Sequence, residues 1–163
     1  MLRAADVKFV GVGSHYAVPP GSVTKADGTA YRVFTPFSKA WRAVGWETPL
    51  DAPSVEWRGA PDIRCDGPPH VSEFPGAVPT GWAATASERG ALDRWSEFLP
   101  QVGEYHDRRD LPAVDGTSRL SAALRWGVVH PRQLVHDLGP ERGDTVFASE
   151  LAWRDFYADV LFR

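Results

Sequence analysis

Apolar residues recur at helical spacing in several separate stretches of the chain. Phe37, Ala40, Trp41 and Val44 stand at i, i+3, i+4 and i+7, which lays one apolar stripe along a helix, and Gly45 is the expected stop. Leu92, Trp95 and Leu99 at i, i+3 and i+7 predict an amphipathic helix ending near Pro100. Just before it, Thr85-Ala86-Ser87-Glu88 fits a capping box, in which the Thr hydroxyl accepts from a free N–H and Glu88 reaches back. Leu120, Ala123 and Leu124 predict a short helix closed by Gly127. Pro131 suits the first turn of the next helix and Gly139 its end. Asp144 is placed to cap a last helix from Thr145 to Phe162.

The first half reads differently. Val7 to Val12 and Tyr31-Arg32-Val33-Phe34-Thr35 are short strand candidates. Gly11-Val12-Gly13 lacks the third glycine of a dinucleotide-binding loop, and Pro19-Pro20 block the helix that should follow, so a plain turn is expected there. Between Glu47 and Trp82 stand Pro49, Pro53, Pro61, Pro68, Pro69, Pro75 and Pro79. That density excludes a helix or a long strand, and a structureless loop of this length is unusual within one domain. It reads as a linker running over a surface between two domains.

Composition narrows the class. Of 163 residues 43% are hydrophobic, with seven Trp and eight Phe, which excludes global disorder. A net charge of −3 is not that of a basic nucleic-acid-coating protein, so any contact with a polyanion is local. The single cysteine, Cys65, gives neither an internal disulfide nor a zinc-ligand pair and fits a reducing compartment. His15, His70, His106, His130 and His136 lack metal spacing, and no Ser sits in a nucleophile elbow. Met1 to Asp6 lack a signal-peptide core, and no apolar run approaches the ~20 residues of a membrane helix, so a soluble, cytoplasmic chain is expected.

Two stretches carry candidate chemistry. In the last helix Phe147, Glu150 and Arg154 share one face, and Glu150, Trp153 and Tyr157 an overlapping one. An ordinary buried stripe holds Leu, Ile and Val, whereas this one mixes a carboxylate, a guanidinium and large rings. The structural alternative is a Glu150–Arg154 ion pair at i, i+4 beside a core aromatic. In Gly116-Thr117-Ser118-Arg119-Leu120-Ser121, three hydroxyls and an Arg meet a helix start, where free N–H groups favour phosphate. Simple N-capping by Thr117 or Ser118 is the alternative.

Taken together, Gly103-Glu104-Tyr105, Arg109 to Ser121, Val128 to Arg132 and Ser149 to Tyr157 resemble the DNA photolyase and cryptochrome family in order and spacing. Tyr16 to Gly21, Gly28 and Tyr31 to Phe37 look like the closing part of its α/β antenna domain. The resemblance implies an interior fragment of a class I cyclobutane pyrimidine dimer photolyase, an α/β remnant followed by an all-α region. Residues 1–46 would end the antenna domain, 47–84 form the linker and 85–163 begin the helical FAD domain.

The resemblance also implies an activity and a set of sites. Excited, reduced FAD would donate an electron to a flipped pyrimidine dimer, the ring would split and the electron would return. Tyr105, Thr117, Ser118, Arg119, Leu120, Ser121, Phe147 and Arg154 would contact FAD. Arg109 would meet a DNA phosphate, Glu150 the edges of the flipped bases and Trp153 their faces, with Tyr157 in the same DNA-facing run. A folate or deazaflavin antenna, damaged DNA as partner and a monomeric state complete the expectation. His130 stands where relatives place a Ser cap, which implies a weaker helix start. By itself the chain would be inactive. A cryptochrome-like, non-enzymatic photoreceptor is the alternative, disfavoured by Glu150 together with Trp153. A helical interaction domain without flavin is the third reading.

Overall fold

The computed structural model describes residues 13–50, Ser54, Glu56, Gly76 and 86–163. The strand expected at Val7 to Val12, Thr85 and most of the Pro-rich stretch lie outside the described residues. The helices are α1 (Phe34–Val44), α2 (Glu88–Phe98), α3 (Tyr105–Arg108), α4 (Ser121–Arg125), α5 (Pro131–His136) and α6 (Arg142–Phe162). A 3-10 helix, Leu99–Glu104, joins α2 to α3. Among the described residues no helix is long and apolar enough to cross a membrane.

Several expectations hold at the level of single residues. Gly45 ends α1 at φ 69°, with its N–H on the Trp41 carbonyl. Gly127 follows α4 at φ 68°. Pro131 opens α5. Others are corrected. Tyr31 to Thr35 is not a strand: Val33 is the N-cap of α1, and Pro36 lies in the first turn, where its missing N–H costs nothing. Besides α1, the described part of residues 1–46 holds an isolated Thr24–Ala30 bridge. The cap of α2 is Ser87, whose hydroxyl accepts from the Gly90 N–H at 3.1 Å, which leaves Glu88 in the first turn facing the positive dipole end. As expected, α2 ends at Phe98, just before Pro100, which lies in the first turn of the 3-10 helix.

Another correction concerns α6, which starts at Arg142 with Glu141 as N-cap. Asp144 is instead buried inside the first turn and accepts from the Gly139 N–H at 2.8 Å, closing the turn from α5. Nor is the start of α5 weak. The Nδ1 of His130 accepts from the Arg132 N–H at 3.2 Å, and Gln133 Oε1 accepts from the His130 N–H at 3.2 Å. Since a backbone N–H only donates, Nδ1 is the acceptor; in the neutral ring Nε2 carries the hydrogen and donates it to the Ser14 carbonyl at 2.7 Å.

The long helix α6 is the centre of the fold. Its buried residues include Phe147, Leu151 and Phe156, which pack with Phe37 and Trp41 of α1 and Trp95 and Phe98 of α2. Asp155 and Asp159 are buried too, and each has a reason. Asp155 Oδ2 accepts from the Val18 N–H at 3.0 Å and from Trp41 Nε1 at 2.9 Å. Asp159 accepts from the Gly21 N–H at 2.6 Å and from Arg163 Nε at 3.0 Å. Arg132 Nε donates to the Ala17 carbonyl at 2.9 Å. The irregular segment 14–23 thus forms a strap whose backbone groups find side-chain partners on α5 and α6, as groups outside a helix or sheet must when buried.

Close packing fixes the other end of α6. A Cβ built on Gly143 would overlap the carbonyl oxygens of Val102 and Gly103. Gly143→Ala is expected to cost about 2 kcal/mol, because two backbone segments must separate. Gly103→Ala, whose Cβ would meet only the Glu141 carboxylate at 3.0 Å, should cost less than about 1 kcal/mol. Urea unfolding of both variants checks the difference.

Candidate functional site

Tyr105, Arg109, Phe147 and Glu150 come together where α3 crosses α6. The Arg109 guanidinium donates to Glu150 Oε1, and its carbon lies 6.0 Å from the centre of the Tyr105 ring. Tyr105 meets Phe147 edge-on at 5.2 Å, and Phe98 lies 5.8 Å from Phe147. Burial opposes the charge of Arg109, but the hydrogen bond and charge of Glu150 outweigh it, so the guanidinium pKa lies above its ordinary value. Burial, helped by the Glu150 charge, raises the Tyr105 phenol. Glu150 is therefore held beside a permanent cation. Among the described residues no donor occupies its Oε2, and its side chain is 42% exposed.

One turn further along α6 lies a ladder of rings. Trp153 is stacked on Phe34 with centroids 3.6 Å apart and planes 8° from parallel. Tyr157, itself exposed, lies 5.6 Å from Trp153 at 23°. Phe34 is held in turn against Phe156. Trp153 is half-buried and Glu150 precedes it by three residues, so carboxylate and indole open on adjoining surface.

The intrahelical Glu150–Arg154 pair is not formed. Arg154 turns to the strap instead: it donates to the carbonyls of His15 and Leu124, each at 3.0 Å, and lies 4.4 Å over the Tyr16 ring. Its Nη1 is 3.6 Å from Asp155 Oδ1, within reach of charge attraction but too long for a hydrogen bond, and among the described residues both atoms are otherwise unpartnered. Burial pushes the Arg154 pKa down and the Asp155 pKa up, each against the opposing pull of the other's charge.

Thr117 to Ser121 form the approach to α4. Neither Thr117 nor Ser118 caps the helix; Leu120 is its N-cap, without a side-chain bond. Arg94 of α2 donates to the Ser118 carbonyl at 3.2 Å and to the Thr117 carbonyl at 3.3 Å, and Ser118 Oγ accepts from the Leu120 N–H at 3.4 Å. Arg119 is the one residue other than glycine with positive φ among those described, at 55°, and this turns its guanidinium outward, where it meets Asp115 at 3.0 Å. Arg94, Arg119 and Leu120, with Trp126 and Val128, line an open cavity of about 890 Å³. Tyr105, Phe147, Glu150 and Trp153 do not line it. No group of three His, Cys, Asp or Glu able to hold a metal occurs among the described residues.

Sequence reasoning missed Tyr16, Phe34, Trp41, Arg94, Asp155 and Asp159. Asp155 and Asp159 are spaced i, i+4, which is a signal, but surface carboxylates have the same spacing. The partners that bury them are more than a hundred residues away.

A model of the DNA photolyase family matches residues 1–54. The deoxyribodipyrimidine photo-lyase of Escherichia coli is 33% identical over 96% of this chain and 35% of its own length. That of Vibrio cholerae is 35% identical over 88% of this chain and 33% of its own. The crystal structure of a bacterial class III photolyase from Agrobacterium tumefaciens has a TM-score of 0.71 at 26% identity, over 99% of this chain and 36% of that one. The chain spans about a third of the length of the curated relatives it matches. With sequence order and backbone course shared along almost all of its length, the chain belongs to the DNA photolyase family.

Proposed function

We propose that this chain supplies one wall of the flavin and damaged-base pocket of a light-driven DNA repair enzyme that splits cyclobutane pyrimidine dimers. The observation that carries the reading is the Arg109–Glu150 pair one helical turn before the half-buried Trp153. An ionised carboxylate is an acceptor only, and thymine imide N–H groups are donors. Arg109 fixes the carboxylate of Glu150 through Oε1, and Oε2, which meets no donor among the described residues, is the atom that meets the base edge. The remaining Arg109 donors are available to a backbone phosphate, a contact that positions DNA without reading its sequence. Trp153 replaces the stacking that a flipped base loses, worth ~1–3 kcal/mol per base in single-strand binders.

FAD fits in part. The exposed Arg119 guanidinium at the rim of the open cavity, with Leu120 beside it, suits the phosphate end of a dinucleotide. Thr117 and Ser121 would add hydroxyls. Ser118 is buried and already used, so it would shape the loop that the cofactor meets. Tyr105 and Phe147 would back the ring region, and Arg154 would act by holding the strap against α4 and α6. When bound, FAD supplies light-driven one-electron donation. A folate or deazaflavin antenna is part of the same proposal.

The test uses the complete gene product, reconstituted with FAD and reduced. Ultraviolet-irradiated oligothymidylate should lose its dimers under blue light and keep them in the dark. Flavin binding with no loss of dimers would favour a signalling role and reject repair. The 163-residue chain alone should retain little FAD, because a good site buries most of its ligand's surface.

A further inference from the structure

We propose that Phe34 is a positioning residue for damage recognition: it closes one face of the Trp153 indole and fixes its plane for an incoming base. The proposal rests on the reading of Trp153 given above and extends it to a residue of the first half of the chain. Trp153 is half-buried at the edge of the core, where an indole keeps some freedom to change rotamer. Phe34 removes that freedom with a near-parallel contact, centroids 3.6 Å apart and planes 8° apart. With Phe34 closing one face and Tyr157 set beside the indole at 5.6 Å, a ligand meets only the surface that these two rings leave.

Phe34 is itself held from several sides. It begins α1, whose Phe37 and Trp41 are buried, and Trp41 is tied through Nε1 to Asp155, two residues beyond Trp153. Phe34 also packs edge-on against Phe156 at 5.9 Å, and Phe156 in turn against Phe37 at 5.1 Å. The α1 segment is thus locked to α6 beside the stack. Ordering the indole in advance removes an entropic cost that binding would otherwise meet, so the gain falls on the stacked, flipped base and not on intact duplex. A planar ring at position 34 is the requirement; a branched aliphatic side chain of similar size fills the space but does not hold a plane.

The test compares Phe34→Leu, Phe34→Tyr and Trp153→Ala in the complete, FAD-loaded gene product. The readouts are affinity for dimer-containing and intact oligothymidylate, flavin content and melting temperature. Phe34→Leu should lose about threefold to tenfold in preference for the dimer, the range that an aromatic pair contributes. Its flavin content, melting temperature and intact-DNA affinity should stay near those of the parent, and Phe34→Tyr should keep the preference. Equal preference in the parent, Leu and Tyr proteins would overturn the proposal and leave Phe34 as packing. So would loss of flavin or of intact-DNA binding in Phe34→Leu. If Trp153→Ala leaves the preference unchanged, the reading of Trp153 falls first and the proposal with it.

Discussion

Asp155→Ala is expected to lower the unfolding free energy of this chain by about 3 kcal/mol or more, whereas Asp155→Asn should cost about 1 kcal/mol. Alanine leaves the Val18 N–H and the Trp41 indole N–H buried without an acceptor, and it removes the charge nearest Arg154 Nη1. A buried donor left unsatisfied costs about 1–3 kcal/mol. Asparagine keeps one oxygen for both donors, and only its amide NH2, facing Arg154, is unfavourable. The two variants also separate the charge from the hydrogen bonds. Burial raises the Asp155 carboxyl above its ordinary value in the folded state, against the lowering pull of Val18, Trp41 and Arg154. A raised folded pKa means that the folded chain binds the proton more tightly than the unfolded one. The stabilisation from this group is therefore fully present below the ordinary carboxylate pKa of about 4 and is lost as pH rises through the raised folded value. Relative to Asp155→Asn, the parent should gain melting temperature as pH falls from neutral towards about 4. Denaturant titrations at several pH values check both the sizes and the sign. Equal losses for Ala and Asn would show that the two N–H groups find other partners.

Glu150→Ala in the complete, FAD-loaded gene product should cut repair per absorbed photon by about tenfold to a hundredfold while flavin content stays near normal. Hydrogen bonds to charged groups contribute about 1.5–3 kcal/mol, and here the charged acceptor is lost while the Arg109 cation stays. Arg154→Ala should behave in the opposite way. Arg154 joins the His15 and Leu124 carbonyls and covers Tyr16, so its loss frees the strap from α4 and leaves Asp155 without its nearest cation. Flavin content and melting temperature should fall together. Flavin occupancy, melting temperature and quantum yield, measured on both variants, separate these roles. If Glu150→Ala loses flavin as Arg154→Ala does, the division of α6 into a base-facing carboxylate and a strap-facing guanidinium is wrong.

Local signals along the chain were sufficient for much of the helical half. Periodicity placed the α2 and α6 segments, and glycine and proline chemistry placed the ends of α1, α4 and the start of α5, because caps and breakers act within a few residues. The family resemblance was carried by contiguous runs that needed no folded structure to be read. What the sequence did not determine is where each side chain on α6 finds its partner. Glu150 and Arg154 stand at the spacing of an intrahelical pair, yet each bonds to a residue of another segment. Asp155 and Asp159 have the spacing of surface charges, yet both are buried against the strap. Phe34 lies in a stretch of strand-like composition, yet it opens a helix and covers Trp153. Periodicity reports which face of a helix is apolar. The pairing of charges and the stacking of rings are settled by which distant backbone groups and aromatic surfaces need partners once the chain is packed, and only the tertiary structure brings those together.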